Sequence, residues 1–349
     1  MSLATCSILP PYTVSALARE WLAEDTPTFD IGGMVVGDKP VEAHLLFKSA
    51  PRTAAGAAVG GAVLAGVPFF TAIFEALGCT VEWAAREGEV LASPLSAAVV
   101  RGPARSVLLG ERTALNVLAR ASGVATGARA FAGVAAAAGW GGQVAGSRKV
   151  TPGGFRLVEK YALLVGGVAT HRMDLSQMVM LKGAPAAASN ITAALPARAP
   201  VLLNLTQHPT LPPPADNHVW AAGSISAAVG AAKRAGGFST KVEVEARGLE
   251  EAIEAAGAGA DVVMLDNYVD PADLHRDAAA LKARFPSVQV EASGGITLDT
   301  VRGFMGPHVD VVSVGSLTQG YAVADFSLKV CMGAGVERIR AVVEGGGRK

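Results

Sequence analysis

From about Gly142 onward the chain repeats one rhythm: a short apolar run, a polar end, then a helix-like stretch. Seven such runs succeed one another. They are Gln143–Ala145 before Arg148-Lys149, Val168–Thr170 before His171-Arg172, Met178–Leu181 before Lys182, and Val242–Val244 before Glu245. Then come Val262–Leu265 before Asp266-Asn267, Val288–Val290 before Glu291 and Ser293-Gly294-Gly295, and Val309–Val314 before Gly315-Ser316. Apolar residues at helical spacing fill most of the gaps, over Phe155–Leu164, Ser226–Ala235, Leu249–Ala256, Pro271–Phe285 and Leu298–Phe304. Strands alternating with helices require a parallel sheet joined by right-handed crossovers. Polar residues gathered behind the strands mark a (β/α) barrel, whose chemistry lies at the C-terminal strand ends. Seven is one short of the usual eight, and Val201–Leu205 could supply an eighth.

The first third reads differently. Pro10-Pro11-Tyr12 leads into an amphipathic helix over Val14–Ala23, with Leu17, Trp21 and Leu22 on one side. Glu42–Lys48 reads as a strand, Phe69–Leu77 as a helix stopped by Gly78, Thr80–Trp83 and Val99–Gly102 as short strands, and Glu111–Ser122 as a helix. Half the residues are apolar, only 5% are aromatic and 41 are glycine, which suits close helix–sheet packing. A net charge of zero gives no support for nucleic-acid or acidic-membrane binding. Cys6, Cys79 and Cys331 are far apart and form no metal or redox motif, and with no basic, apolar leader at the N-terminus the expected location is the cytoplasm. Thr53–Phe74 lacks charge and is long enough to span a bilayer, but it is mostly Ala and Gly with Pro68 inside, and reads as a small-residue loop entering a buried helix.

The polar strand ends sort into three groups. Arg148, Lys149, His171, Arg172 and Lys182 make an anion pocket, since Arg grips carboxylate or phosphate with two prongs and Lys adds a point charge. Glu245 and Asp266 make a carboxylate pair suited to Mg²⁺ shared with substrate phosphates. Ser293-Gly294-Gly295 and Gly315-Ser316 are small turns whose backbone N–H groups can cradle a phosphate. Each has a plain alternative: a solvated basic patch, a Glu245–Lys241 pair, an ordinary turn. All three in strand-end register favour one active site for a multiply anionic small molecule and a phosphorylated sugar.

On Glu111-Arg112-Thr113-Ala114-Leu115-Asn116, Gly146-Ser147-Arg148-Lys149, Glu159-Lys160-Tyr161, Gly166-Gly167 with His171-Arg172, Val242–Glu245, Leu265-Asp266-Asn267 and Glu291–Ile296, the chain closely resembles the quinolinate phosphoribosyltransferases from about Leu9 to Val330. Its C-terminal half looks more like the animal and fungal branch. The resemblance implies an α/β fold, an open seven-stranded (β/α) barrel over 129–324 beside an N-terminal α/β sandwich over 1–128, with 325–349 packing on the sandwich. It implies transfer of phosphoribose from phosphoribosyl pyrophosphate to quinolinate with decarboxylation, Mg²⁺ as cofactor, and a homodimer or hexamer in which Arg112 reaches a partner's pocket. It implies that Arg148, Lys149, His171, Arg172 and Lys182 bind the two carboxylates. Glu245 and Asp266 would serve the ribose and pyrophosphate side, with Lys149 also catalytic, and Ser293, Gly294, Gly295 and Gly315 would hold the 5′-phosphate. A transferase acting on nicotinate without decarboxylation is the nearest alternative, but one carboxylate does not need five cations.

Three departures stand out. Where the family runs from the Lys182 equivalent straight into Asp-Asn-His, this chain inserts Gly183–Ala215, 33 residues, before Asp216-Asn217-His218. The insert is a whole number of codons, and its ends are compatible with GT and AG splice signals, so it reads as a translated intron, with a lid loop as the alternative and an impaired subunit as one consequence. Val201–Leu205 lies inside it. Ser49–Val63 is longer than in the family, and Thr151–Phe155 carries one extra glycine.

Overall fold

A computed structural model describes residues 5–51, 61–182 and 218–331. In chain order its elements are α1 (Pro11–Asp25), α2 (Ile31–Val36), β1 (Pro40–Ser49), β2 (Ala62–Val63), α3 (Val67–Ala76), β3 (Thr80–Trp83), β4 (Val90–Leu91), β5 (Leu95–Pro103) and α4 (Ala104–Ala137). They continue as β6 (Gln143–Ala145), α5 (Phe155–Gly166), β7 (Met178–Leu181), α6 (His218–Ala222), α7 (Ile225–Gly236), β8 (Lys241–Ala246), α8 (Leu249–Gly257) and β9 (Val262–Asp266). The last are α9 (Pro271–Arg284), β10 (Gln289–Ser293), α10 (Val301–Phe304), β11 (Val311–Ser313) and β12 (Asp325–Cys331). Two compact units hold them: among the described residues, unit one is 5–51, 61–137, 144–171 and 314–331, and unit two is 138–143, 172–182 and 218–313. Unit one thus takes in stretches that the sequence division at 128/129 assigns to the barrel.

Unit one is built on an antiparallel sheet of order β12-β1-β5-β3. Its central strand β1 pairs with β12 from Glu42↔Cys331 and with β5 from Pro40↔Pro103. Alternation drives Ala43, Leu45 and Phe47 fully inward. Helix α3 supplies Phe69, Phe70, Ile73 and Phe74 to the core, all fully buried, each worth about 1.5–3 kcal/mol of transfer free energy. Phe69 sits between Trp21 at 6.1 Å and Tyr161 at 5.7 Å, which ties α1, α3 and α5 together. Gly66 precedes α3 at φ 99°, a conformation that favours glycine, and Pro68 occupies the first turn, where its missing N–H costs nothing. The backbone donors at this helix start are met from a distance in sequence: Glu87 accepts from Gly66 N–H at 2.8 Å and Val67 N–H at 3.0 Å.

Helix α4 runs for 34 residues, far beyond the expected Glu111–Ser122. Its glycines dilute the helical signal but mark close approaches. A side chain at Gly123 would overlap the Ala322 carbonyl, and on α5 one at Gly166 would meet Ala128 and lie 2.6 Å from the Ala125 carbonyl oxygen. Small residues thus form a seam where α4 and α5 touch.

In unit two the strands run parallel in the order β7-β8-β9-β10-β11, and β6 continues that order from Gln143, whose N–H donates to the Asp310 carbonyl at 2.9 Å. Val242, Val244, Val263, Leu265, Val290 and Ala292 fill one face with no exposure at all. Glu243, Glu245, Met264, Asp266, Glu291 and Ser293 share the other face by alternation. Six of the seven expected runs are strands. The seventh, Val168–Thr170, which falls in unit one, keeps a single parallel bridge, Ala145↔Ala169. Ser224 and Asp270 cap α7 and α9 through bonds to Ala227 N–H at 3.0 Å and Ala272 N–H at 2.8 Å. The helix expected from Leu298 begins at Val301, because Thr297 N–H and Thr300 Oγ1 close a turn first, at 3.0 Å. The insert 183–215, with Val201–Leu205, lies outside the described residues. Among the described residues no helix is long and apolar enough to cross a membrane.

Candidate active site

Each unit carries its own set of the nominated side chains. In unit one, Arg148 and Lys149 are exposed on the loop after β6. The loop is fixed through its backbone. Thr318 Oγ1 donates to the Lys149 carbonyl at 2.7 Å, Lys149 N–H donates to Ser147 Oγ at 3.1 Å, and Val150 N–H donates to the Arg148 carbonyl at 2.9 Å. Two residues on, Thr151 gives both its N–H and its hydroxyl to the carboxylate of Glu159, each at 2.8 Å. Tyr321 donates its hydroxyl to the same carboxylate at 3.0 Å, and burial with that neighbouring charge holds its phenol well above the usual range. The extra glycine of Thr151–Phe155 falls in this turn, where Gly153 takes φ 69° just ahead of α5.

His171 is half-buried at φ 56°, a left-handed backbone that few non-glycine residues adopt, His among them. Its neighbour Thr170 is gripped by the Lys160 ammonium through the backbone carbonyl, and Thr170 Oγ1 donates to the His171 carbonyl at 2.7 Å. The Lys149 side chain arches over Gly315: a Cβ there would stand 3.2 Å from Lys149 Cδ and 3.6 Å from Nζ. The cation and the small-residue turn are therefore neighbours, as a phosphate cradle requires. Arg112 is exposed on α4 and lines a cleft of about 290 Å³ with Trp21, Glu24, Asp25, Asn116 and Phe155.

In unit two the strand ends line up. Arg172 reaches back to the Met178 carbonyl at 3.1 Å, at the start of β7, and Lys182 is exposed where β7 ends. Glu245 of β8 sits level with Met264 of β9, one inward position below Asp266, which is itself level with Ser293 of β10. The Glu245 carboxyl is pushed up to about 7, first by burial and then by the hydrogen bond and charge of Asp266, against the pull of the Lys182 ammonium. Two carboxyls this close share a proton or a cation more readily than they both stay bare, which fits a divalent ion held with substrate oxygens. Gly294 and Gly295 take φ 99° and 62° in succession, backbone that glycine adopts without the strain a side chain would bring. Gly294 packs against Asn267, itself at φ 60°, and Asn267 N–H donates to the Ser293 carbonyl at 3.0 Å.

The sequence pattern names Glu291 as a polar strand end but gives it, like Glu243, no role in the site. Both lie one inward step before the nominated residues of β8 and β10, 0% and 2% exposed, with carboxylate oxygens within 4.8 Å of each other. The Val-Glu-Val-Glu and Val-Glu-Ala-Ser alternations carried the signal. A second cavity of about 340 Å³ opens at the opposite strand ends beside Trp140, Gln143, Gln289 and Asp310, the barrel face usually given to stability.

Two family profiles match the chain: Quinolinate phosphoribosyl transferase, N-terminal domain, over residues 26–122, and the C-terminal domain of the same family over residues 124–202 and 214–329. The human nicotinate-nucleotide pyrophosphorylase (carboxylating) is 49% identical over 323 residues, covering 93% of each chain, and the Dictyostelium discoideum protein of the same name is 40% identical over 338 residues. Among solved structures, NadC from Streptococcus pyogenes superposes with a TM-score of 0.72 at 30% identity, covering 93% of this chain and 98% of its own. The strand-end geometry and these matches agree, and the chain belongs to the quinolinate phosphoribosyltransferase family.

Proposed function

We propose that this chain transfers phosphoribose from phosphoribosyl pyrophosphate to the ring nitrogen of quinolinate, with loss of carbon dioxide, giving nicotinate mononucleotide and pyrophosphate for NAD biosynthesis. The relatives that match it along nearly its whole length bear the name of that reaction. The observation that carries the reading at the level of residues is the Glu245–Asp266 carboxyl pair beside Lys182.

Quinolinate is a dianion, and Arg148, Lys149, His171, Arg172 and Lys182 supply the charge that it requires, with Arg112 of the partner subunit in a homodimer or trimer of dimers. As pyrophosphate leaves, the ribose carbon gains positive charge, which the Glu245 and Asp266 carboxylates favour. Glu245 and Asp266 would stand nearest a Mg²⁺ ion carried mainly by the substrate, which would neutralise the pyrophosphate when bound. Ser293, Gly294, Gly295 and Gly315 give N–H groups to the 5′-phosphate. Holding the ring nitrogen in line with the ribose carbon supplies the proximity contribution. Alkylation makes the ring cationic, so it stabilises the electron pair left on the adjacent ring carbon as carbon dioxide departs; a proton from solvent then forms the C–H bond there, and the protein needs no covalent nucleophile. We place the enzyme in the cytoplasm.

Carbon dioxide released from carboxyl-labelled quinolinate, mole for mole with nicotinate mononucleotide, tests this reading. Transfer to nicotinate instead, without carbon dioxide, refutes it. One finding favours a second reading: the family match breaks at 203–213, within the insert 183–215. A translated intron there gives an impaired subunit. Deleting Gly183–Ala215 then raises carbon dioxide release strongly, whereas equal or lower release shows the insert to be benign.

A further inference from the structure

We infer that Glu159 and Lys160 are a positioning pair for quinolinate, holding from one turn of α5 the two loops that carry Arg148, Lys149 and His171. The inference rests on the proposed role of those three cations. Glu159 and Lys160 are adjacent on a helix and are 0% and 1% exposed. Burying a charge is costly, and apolar side chains stabilise a core at least as well, so two buried charges in succession call for a purpose beyond packing.

Their bonds show where that purpose lies. Glu159 takes three donors: Thr151 N–H and Thr151 hydroxyl at 2.8 Å, and Tyr321 hydroxyl at 3.0 Å. Thr151 lies two residues past Lys149, whose carbonyl is fixed from the same C-terminal segment by Thr318 at 2.7 Å. Lys160 points about 100° away around the helix and grips the Thr170 carbonyl. That bond lies directly ahead of His171, whose φ of 56° persists only under restraint from its surroundings. Neither residue reaches for solvent. Glu159 holds Thr151 of one cation-bearing loop and Lys160 holds Thr170 of the other, so one rigid helix sets the aim of both. Recognition of a planar dicarboxylate depends on such aim to within about half an ångström.

The test uses the full-length protein and labelled quinolinate in equilibrium dialysis, with steady-state KM for both substrates. Thr151→Val removes one hydroxyl donor while keeping shape, and Thr151→Ser keeps the hydroxyl. The expected result is quinolinate binding weakened about tenfold in T151V and restored in T151S, with KM for phosphoribosyl pyrophosphate changed less than about twofold. Tyr321→Phe and Glu159→Gln act in the same direction. Unchanged quinolinate binding in folded T151V, or equal weakening of both substrates, overturns the inference. Arg148→Ala separates it from the reading beneath it. Loss of quinolinate binding in R148A with none in T151V defeats the positioning pair alone, whereas normal binding in R148A defeats the assignment of that cation.

Discussion

Glu87 offers a test of which physical effect rules a buried carboxyl at a helix start. Its carboxylate accepts the Gly66 and Val67 N–H groups at the head of α3 and meets the Tyr161 hydroxyl, all of which favour the ionised form. Burial opposes them and prevails, raising the group from 4.5 to about 7. Below pH 4.5 the folded and unfolded chains both hold the proton and Glu87 contributes nothing. Between 4.5 and 7 the unfolded chain releases it first, so stability falls as pH rises. Above 7 the full cost of about 3.4 kcal/mol persists, from a gap of about 2.5 units at 1.36 kcal/mol each. Glu87→Gln cannot ionise, and it gives up one acceptor at a fixed cost of about 1–2 kcal/mol at every pH. The stability of E87Q relative to the parent should therefore climb by about 3 kcal/mol between pH 4.5 and 8. Hydrogen exchange of the α3 amides reads this directly, and at each pH the intrinsic exchange rate cancels between the two proteins. A flat difference, or one that falls with pH, would show that the N–H bonds and helix dipole outweigh burial.

The Glu245 carboxyl, raised to about 7 by burial and Asp266, must lose a proton to act as an anion, so quinolinate turnover should decline as pH falls through about 7. In Asp266→Asn the Glu245 midpoint should move toward 4.5, read by carbon NMR of the carboxyl; a midpoint that stays put removes Asp266 as a cause. Gly294→Ala would place a methyl 2.6 Å from the Asn267 nitrogen at a φ of 99°, so we expect a loss of about 1–3 kcal/mol in stability and weaker phosphoribosyl pyrophosphate binding; wild-type values of both would clear that turn of a role. Cys79 is buried and its thiol is pushed up by desolvation, so in the native protein at neutral pH it should alkylate far more slowly than in urea, as peptide mass spectrometry reports.

The strand ends of unit two were readable because a parallel strand announces itself as an apolar run that stops abruptly, and the residues just past the stop are free to be functional. Glu245, Asp266 and Ser293 fall on one face for that reason. Glu243 was hidden by the same signal, since inside the run it looks like a break in hydrophobicity, whereas Glu291, the polar end of its apolar run in the sequence, lies inside β10; period-two alternation puts both beneath the nominated residues. Helix α4 outran its pattern because Gly110, Gly123, Gly127 and Gly133 weigh against a helix locally, while contact with α3 and α5 outweighs propensity. The sequence pattern reads β5 as Val99–Gly102, but it extends from Leu95: Ala97 and Ala98 are poor strand formers, and pairing of Ser96 and Ala98 with β1 holds the strand across a register shift at Ala97. The role of Glu159 and Lys160 was invisible because it depends on Thr151, Thr170 and Tyr321, which only the fold brings to α5.

The seam of small residues between α4 and α5 behaves like a machined spacer. Helix axes usually stand 8–10 Å apart, and the gap closes where Gly166 meets Ala125 and Ala128. Every added methyl there acts as a shim, and α5 transmits the displacement to the loops at its far side. Drift in catalytic efficiency among variants of this chain should therefore map to residues that never meet a substrate. A survey confined to charged side chains would miss the dimension that sets the calibration of the whole instrument.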